Sequence, residues 1–189
     1  IFYLTMSNYS NVISFDNIKH PYFELSNYYP YDMVMNIKNN YTNKVESISF
    51  NSIEQYYQSE KYNTNNKLSQ FYRSLILQAN TPKKAHLLGK QTKFIYDWNL
   101  NKNSKLTIKG IINKYKGKVK IRDDWKEIKN KILLKGLKNK FNDDKMKKIL
   151  LSTNNKVLVE NSVGRWGMKN NKLGECLMKV RDFIRNKNK

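Results

Sequence analysis

Cysteine is almost missing from this chain: of its 189 residues, only Cys176 carries a thiol. One cysteine cannot close an internal disulfide, which excludes a scaffold stapled by such bridges. Cys176 falls among Leu173, Leu177 and Val180, a setting that reads as a buried thiol rather than a nucleophile. A reducing intracellular compartment, the cytoplasm, fits that usage. Long apolar runs are also missing, so no segment reads as a membrane span and no membrane partner is expected. The opening Ile1-Phe2-Tyr3-Leu4 is too short for a secretory signal and reads as the trimmed end of a longer chain.

Negative charge is scarce. Fifteen acidic residues face 36 basic ones, a formal net charge of +21. Such a surface attracts phosphates, nucleic acid and acidic surfaces at low salt. Much of the excess is lysine, in a chain also rich in Asn, Ile and Tyr, and reads equally well as compositional drift over solvated faces. Arginine is rarer and more telling. There are five, Arg73, Arg122, Arg165, Arg181 and Arg185, and an Arg in so Lys-rich a chain points to a bidentate fork. Arg122 stands three residues before Trp125, and Arg165 directly precedes Trp166. Phosphate or base recognition is the sharp reading of both.

The chain is long enough for one domain with its own core, and shows neither an internal repeat nor a linker. Up to about residue 50 it is rich in Asn, Tyr and Ser, with a short strand expected at Val45, Ile48 and Phe50. Ser52 is an N-cap candidate for a helix over 52–62, with Gln55 at N3 able to return a hydrogen bond. Leu68, Phe71, Tyr72, Leu75, Ile76 and Ala79 repeat at helical spacing. Thr81-Pro82 starts a short helix that Gly89 closes. Residues 99–120, rich in Lys and Asn, read as an exposed insertion. A helix then starts near Asp123 or Asp124, with Ile128, Ile132, Leu133, Leu137 and Phe141 inward and Lys126, Lys129, Lys131, Lys135 and Lys138 outward. Asn142-Asp143-Asp144 caps another with Met146, Ile149 and Leu150 buried. Val157-Leu158-Val159 is a short strand or extended link, and Leu173, Leu177, Val180 and Ile184 stripe a final helix. The expected class is mainly α (α+β), with a small β element near the N-terminal half.

The helix at 52–62 carries the chemistry. Glu54 lies in its first turn, and Lys61 shares that face about 10 Å further along the axis. Tyr57 and Gln58 stand between them. A carboxylate and an amine so placed can reach one small polar substrate, although an N-terminal Glu and a surface Lys are also ordinary helix features.

An ordered set of separated pieces extends this. Phe23-Glu24-Leu25-Ser26-Asn27-Tyr28-Tyr29-Pro30 comes first, then Ser52-Ile53-Glu54-Gln55-Tyr56-Tyr57-Gln58 with Lys61. Thr81-Pro82, Ala85, Leu88-Gly89, Arg122, Asp124-Trp125 and Lys129 follow. Lys140-Phe141, Leu158-Val159-Glu160, Trp166-Gly167, Asn171-Lys172-Leu173-Gly174, Leu177-Met178 and Arg181 complete it. The set resembles the NADAR family, the YbiA-like N-glycosidases, from about Tyr22 to Ile184. The resemblance implies a multihelical single domain spanning 1–189, and an enzyme that cleaves a ribose C1–N bond without metal or other cofactor. It implies two substrate classes: ADP-ribosyl groups, including ADP-ribosylated guanine in nucleic acid, and phosphorylated ribosylamino-pyrimidine intermediates of riboflavin synthesis.

Carried over, Glu54 matches the family's acidic residue, Trp125 its aromatic pocket residue and Lys61 the lysine ending the first helical motif. Asn27, Trp166, Asn171 and Gly174 match further pocket positions. The chemistry agrees. A carboxylate can stabilise an oxocarbenium-like sugar or deprotonate the attacking water. Trp125 can stack on the departing base, Lys61 can capture the sugar aldehyde as a Schiff base, and Arg122 or Arg165 can hold a phosphate. The pattern departs from the family at one point. Its usual Asp, three residues before Trp-Gly, is Val163 here, and the link from Glu160 to Trp166 is shorter; Asp123, Asp124 and Glu160 are the candidate substitutes. His20 and His86 lie outside the quoted motifs and receive no catalytic role. A catalytically degenerate, basic module that binds ADP-ribose or nucleic acid is the rival reading.

Overall fold

Why one half of the chain folds around a tyrosine-rich centre and the other around a short parallel sheet follows from where the apolar residues fall. The computed structural model describes residues 11–16, 18–91, 97–161 and 170–187. They divide into two compact units, one from Pro30–Gly136 and one from Ile1–Tyr29 with Leu137–Lys189. Helices dominate and the strands are short, an α+β architecture. Among the described residues, no helix is long and apolar enough to cross a membrane.

In the first unit, β1 (Met33–Lys38) and β2 (Val45–Phe50) form an antiparallel hairpin, with Met33 opposite Phe50 and Lys38 opposite Val45. The first strand alternates strictly, with Met33, Met35 and Ile37 buried and Val34, Asn36 and Lys38 exposed. The period of two gives that strand one dry face. Three helices follow: α1 (Ile53–Lys61), α2 (Lys67–Leu77) and α3 (Pro82–Lys90). Each starts where a side-chain oxygen accepts a backbone N–H, at Ser52, Asn66 and Thr81. Tyr62, Tyr72, Leu75, Ile76 and Leu88 form the core beneath them. Leu68 and Phe71 of the periodic set are exposed, at 37% and 49%.

Two expectations need correction. Residues 99–120 are no exposed insertion. They hold α4 (Ile108–Tyr115), capped by Thr107, whose Ile108, Ile111, Ile112 and Tyr115 join that core with Leu100. Each fully buried isoleucine contributes about 1.5–3 kcal/mol, so the lysines between them merely coat a packed element. Gly89 does not close α3 either; the helix runs on to Lys90, and Gln91 adopts the left-handed conformation, φ 50°, at its end.

Helix α5 (Trp125–Lys140) contains the boundary between the units. In the second unit, β3 (Val12–Phe15) pairs in parallel with β4 (Val157–Glu160), placing Val12 opposite Val157 and Phe15 opposite Glu160. Helices α6 (Asp144–Ser152) and α7 (Lys172–Lys187) complete it. Among the described residues the β structure is two separate ribbons: the hairpin lies in the N-terminal half, as expected, and the other joins distant parts of the chain. Asp143 caps α6, and Leu173, Leu177, Val180 and Ile184 of α7 are buried as their spacing predicts. Cys176 is buried too, which pushes its thiol pKa up. Lys140 is wholly buried: its ammonium donates to the Ser26 carbonyl at 3.1 Å and lies 5.1 Å from the centre of the Tyr29 ring. Burial drives its pKa down to about 7, partly opposed by Glu24.

Candidate active site

Helix α1 is buried along almost its whole length although most of its residues are polar. Its start explains how. Ser52 Oγ accepts the Gln55 N–H at 3.1 Å, and the Gln55 Oε1 accepts the Asn51 N–H at 2.8 Å, one residue earlier than a standard capping box. The Gln55 amide then donates to the carbonyls of Leu77 and Ala79, each at 2.9 Å. One carboxamide therefore ties the start of α1 to the end of α2.

From that anchor Glu54, Tyr57, Gln58 and Lys61 follow at i, i+3, i+4 and i+7, along one face. Glu54 is 5% exposed. Its Oε1 accepts from Gln58 Nε2 at 2.9 Å and lies 2.6 Å from His86 Nδ1. An ionised carboxylate has no proton to give, so Nδ1 is the protonated nitrogen of that pair. Lys61 Nζ donates to the Gly89 carbonyl at 2.6 Å. Burial lowers the pKa of this lysine; the Glu54 charge opposes the shift and Lys90 adds to it. Gly89 is needed here for space. A Cβ at that position would lie 1.9 Å from Gln58 Oε1, so the missing side chain lets α3 approach α1.

Trp125 opens α5 and is half-buried, with its ring centre 4.9 Å from that of Tyr57. The tyrosine thus connects the tryptophan to the face that carries Glu54. Arg122 donates its backbone N–H to the Lys61 carbonyl, but its guanidinium is engaged by Asp124 in a two-point pair at 2.6 and 3.0 Å. That pairing pulls the Asp124 carboxyl pKa below its usual value. Arg122, Lys120 and Asn66 line a surface recess of about 340 Å³.

The remaining sequence candidates belong to the second unit. Asn27 is buried, and its Oδ1 has no hydrogen-bond partner among the described residues. Asn171 spends its carboxamide on β4, donating to the Leu158 carbonyl and accepting the Glu160 N–H. A Cβ on Gly174 would come within 2.0 Å of that same Leu158 carbonyl. In this structure both positions join α7 to β4. Trp166, with Val163 and Arg165, lies outside the described residues.

Sequence reasoning missed His86 and Gln58 as partners of the carboxylate. A signal existed for each. Gln58 stands at i+4 from Glu54, and His86 stands three residues before Gly89, on the side of α3 that turns to α1.

The NADAR domain model matches residues 14–185. Among solved structures, the NMR structure of the E. coli protein YbiA is similar at a TM-score of 0.63 and 22% identity, over 94% of this chain and 87% of that one. No curated protein matches by sequence.

Proposed function

This chain belongs to the NADAR family, and from that premise we propose that it is an N-glycosidase that hydrolyses a ribose C1–N bond. Its substrate is an ADP-ribosyl group, such as ADP-ribosylated guanine in nucleic acid, or a phosphorylated ribosylamino-pyrimidine. The observation that carries the reading is Glu54: a buried carboxylate, tied by two donors on one oxygen, with the Lys61 amine two turns along the same face.

As the C1–N bond breaks, its electron pair leaves with the nitrogen and the sugar gains positive charge. Glu54 stabilises that charge and accepts a proton from the water that attacks C1, while the departing nitrogen takes up a proton. Trp125 provides the apolar platform for the base. Lys61, whose burial favours the neutral amine, holds substrate or captures the opened sugar as a Schiff base. Arg122 takes a phosphate only after leaving Asp124.

Glu54→Gln keeps the shape and removes the charge. Release of free base or ribose phosphate should fall about 10³-fold, roughly 4 kcal/mol of transition-state stabilisation, with an unchanged circular dichroism spectrum. Mass spectrometry after incubation with both substrate classes reads the outcome; unchanged turnover removes this mechanism. The charge of +21 favours a second reading, a basic binding module without turnover. In that case wild type raises its Tm with ADP-ribose or an oligonucleotide, salt weakens the binding, and no product forms on long incubation.

A further inference from the structure

Both hydrogen bonds to Glu54 fall on Oε1, and Oε2 receives none among the described residues. Each carboxylate oxygen can accept two hydrogen bonds, so Oε2 keeps its full accepting capacity. Glu60 is held on one oxygen in the same way, and what sets Glu54 apart is the nature of its donors. The two donors also differ in origin. Gln58 rides on α1 with Glu54, so it follows the carboxylate wherever that helix sits. His86 comes from α3, 32 positions along the chain, and is the donor that fixes the carboxylate against a second element. Its side chain is 23% exposed against 7% for Glu54, so the ring lies on the outer side of the pair.

We propose that His86 is the positioning residue of this site: its Nδ1–H clamps Oε1 and turns Oε2 toward the anomeric carbon of the substrate. The inference rests on the glycosidase reading and names a residue that the motif resemblance does not supply. The imidazole does not need to touch the sugar. It acts through Glu54, as a carboxylate-bound ring fixes orientation in other catalytic pairs. Gly89 supports it, because a Cβ there would meet the Gln58 side chain, the second donor on the same oxygen.

The test compares His86→Ala, His86→Asn and His86→Gln on guanosine ADP-ribosylated at its base and on a phosphoribosylamino-pyrimidine. The Asn amide can place an N–H where Nδ1 stands; the Gln amide reaches past it. His86→Ala should lower kcat about 10–100-fold, the range for lost orienting partners, with KM within about threefold. His86→Asn should recover most of kcat and His86→Gln should not. A readout that needs no substrate is the low-field proton NMR signal of the hydrogen-bonded imidazole N–H. With only two histidines in the chain, a His20→Ala variant should keep that signal, and His86→Ala and Glu54→Gln should both lose it. A wild type that turns over while His86→Ala matches it overturns the inference and leaves the glycosidase reading standing. So does an Asn variant as slow as the Ala variant at equal Tm, or a signal indifferent to Glu54→Gln. A wild type inert on both probes overturns the glycosidase reading itself, and the inference with it.

Discussion

Glu54 and Glu60 sit on the same nine-residue helix, 5% and 4% exposed, yet their surroundings are opposites. Glu60 Oε1 accepts from Arg73 and from Asn63, each at 3.2 Å. Arg73 is 2% exposed and also lies 4.0 Å from Glu46. Burial pushes the Glu60 pKa up and the Arg73 charge works against it. The partner of Glu60 is a guanidinium that never gives up its proton. The partners of Glu54 are a neutral amide and an imidazole, with a lysine of lowered pKa on the same face. Equal burial therefore says little about role. Both are held on Oε1 alone; an Arg closes a carboxylate into the fold through a permanent charge pair, whereas His and Gln hold one without a fixed opposing charge.

The largest effect should come from breaking the closed pair. Arg73→Ala strands a buried carboxylate and should destabilise the protein by about 3–5 kcal/mol, read by urea unfolding. Glu54→Gln, which removes a charge without stranding one, should change stability by no more than about 1 kcal/mol. If Arg73→Ala unfolds no more easily than Glu54→Gln, the two carboxylates are equivalent and the contrast fails.

Lys61 and Lys140 extend the comparison to cations. Lys140 is wholly buried and its pKa falls to about 7, from an ordinary value of 10.5. Between those limits the unfolded chain holds a proton that the native state has shed, so stability rises with pH across that window and is lower below it. The Tm should climb by about 5 °C from pH 7 to pH 9. Lys140→Met should flatten that slope, leaving the contribution of Lys61 in the same sense and that of the Cys176 thiol in the opposite one. A Met variant with the same slope would show that Lys140 keeps its proton.

How much of this was legible in the sequence depends on range. The start of α1 was readable because Ser52 and Gln55 interact over three residues, and among the described residues the sequence pattern places every α-helix except α4. That one was hidden because its lysines and asparagines mask Ile108, Ile111 and Ile112, whose spacing of three and four is itself helical. The pairing of Val12–Phe15 with Val157–Glu160 had no local signal; four-residue strands carry too little pattern to announce a distant partner. The site divides the same way. Glu54 and Lys61 share a helix face that spacing alone reveals, while His86 reaches Glu54 only through the packing of α3 on α1. Arg122 looked available from its place before Trp125, and nothing short of side-chain geometry shows Asp124 holding it.

Gly89→Ala should separate the two carboxylates by activity. The new Cβ meets the end of the Gln58 side chain, a flexible group that can swing aside. Helix propensity favours Ala over Gly by up to about 1 kcal/mol, so net stability should move little. Turnover should still fall about tenfold, because the displaced amide no longer holds Oε1. The Arg73–Glu60 pair lies elsewhere on α1 and should be untouched, so a stability loss on the scale of Arg73→Ala would contradict the assignment.

Ser52→Ala is the smallest and most discriminating change. Ser52 is fully buried, and its hydroxyl both accepts the Gln55 N–H and donates to Asn51 Oδ1 at 3.0 Å. Losing an N-cap costs about 1 kcal/mol, and the fraying it causes is confined to the first turn, where Glu54 sits. Glu60, in the last turn, is held from outside the helix by Arg73 and does not depend on that cap. Hydrogen exchange should therefore speed up at the amides of Gln55 and Tyr56 and stay unchanged at Glu60 and Lys61, with kcat reduced about twofold to fivefold. Uniform acceleration along α1 would mean that the helix opens as a unit. The two carboxylates would then share one local stability, and only their partners, not their positions, would set them apart.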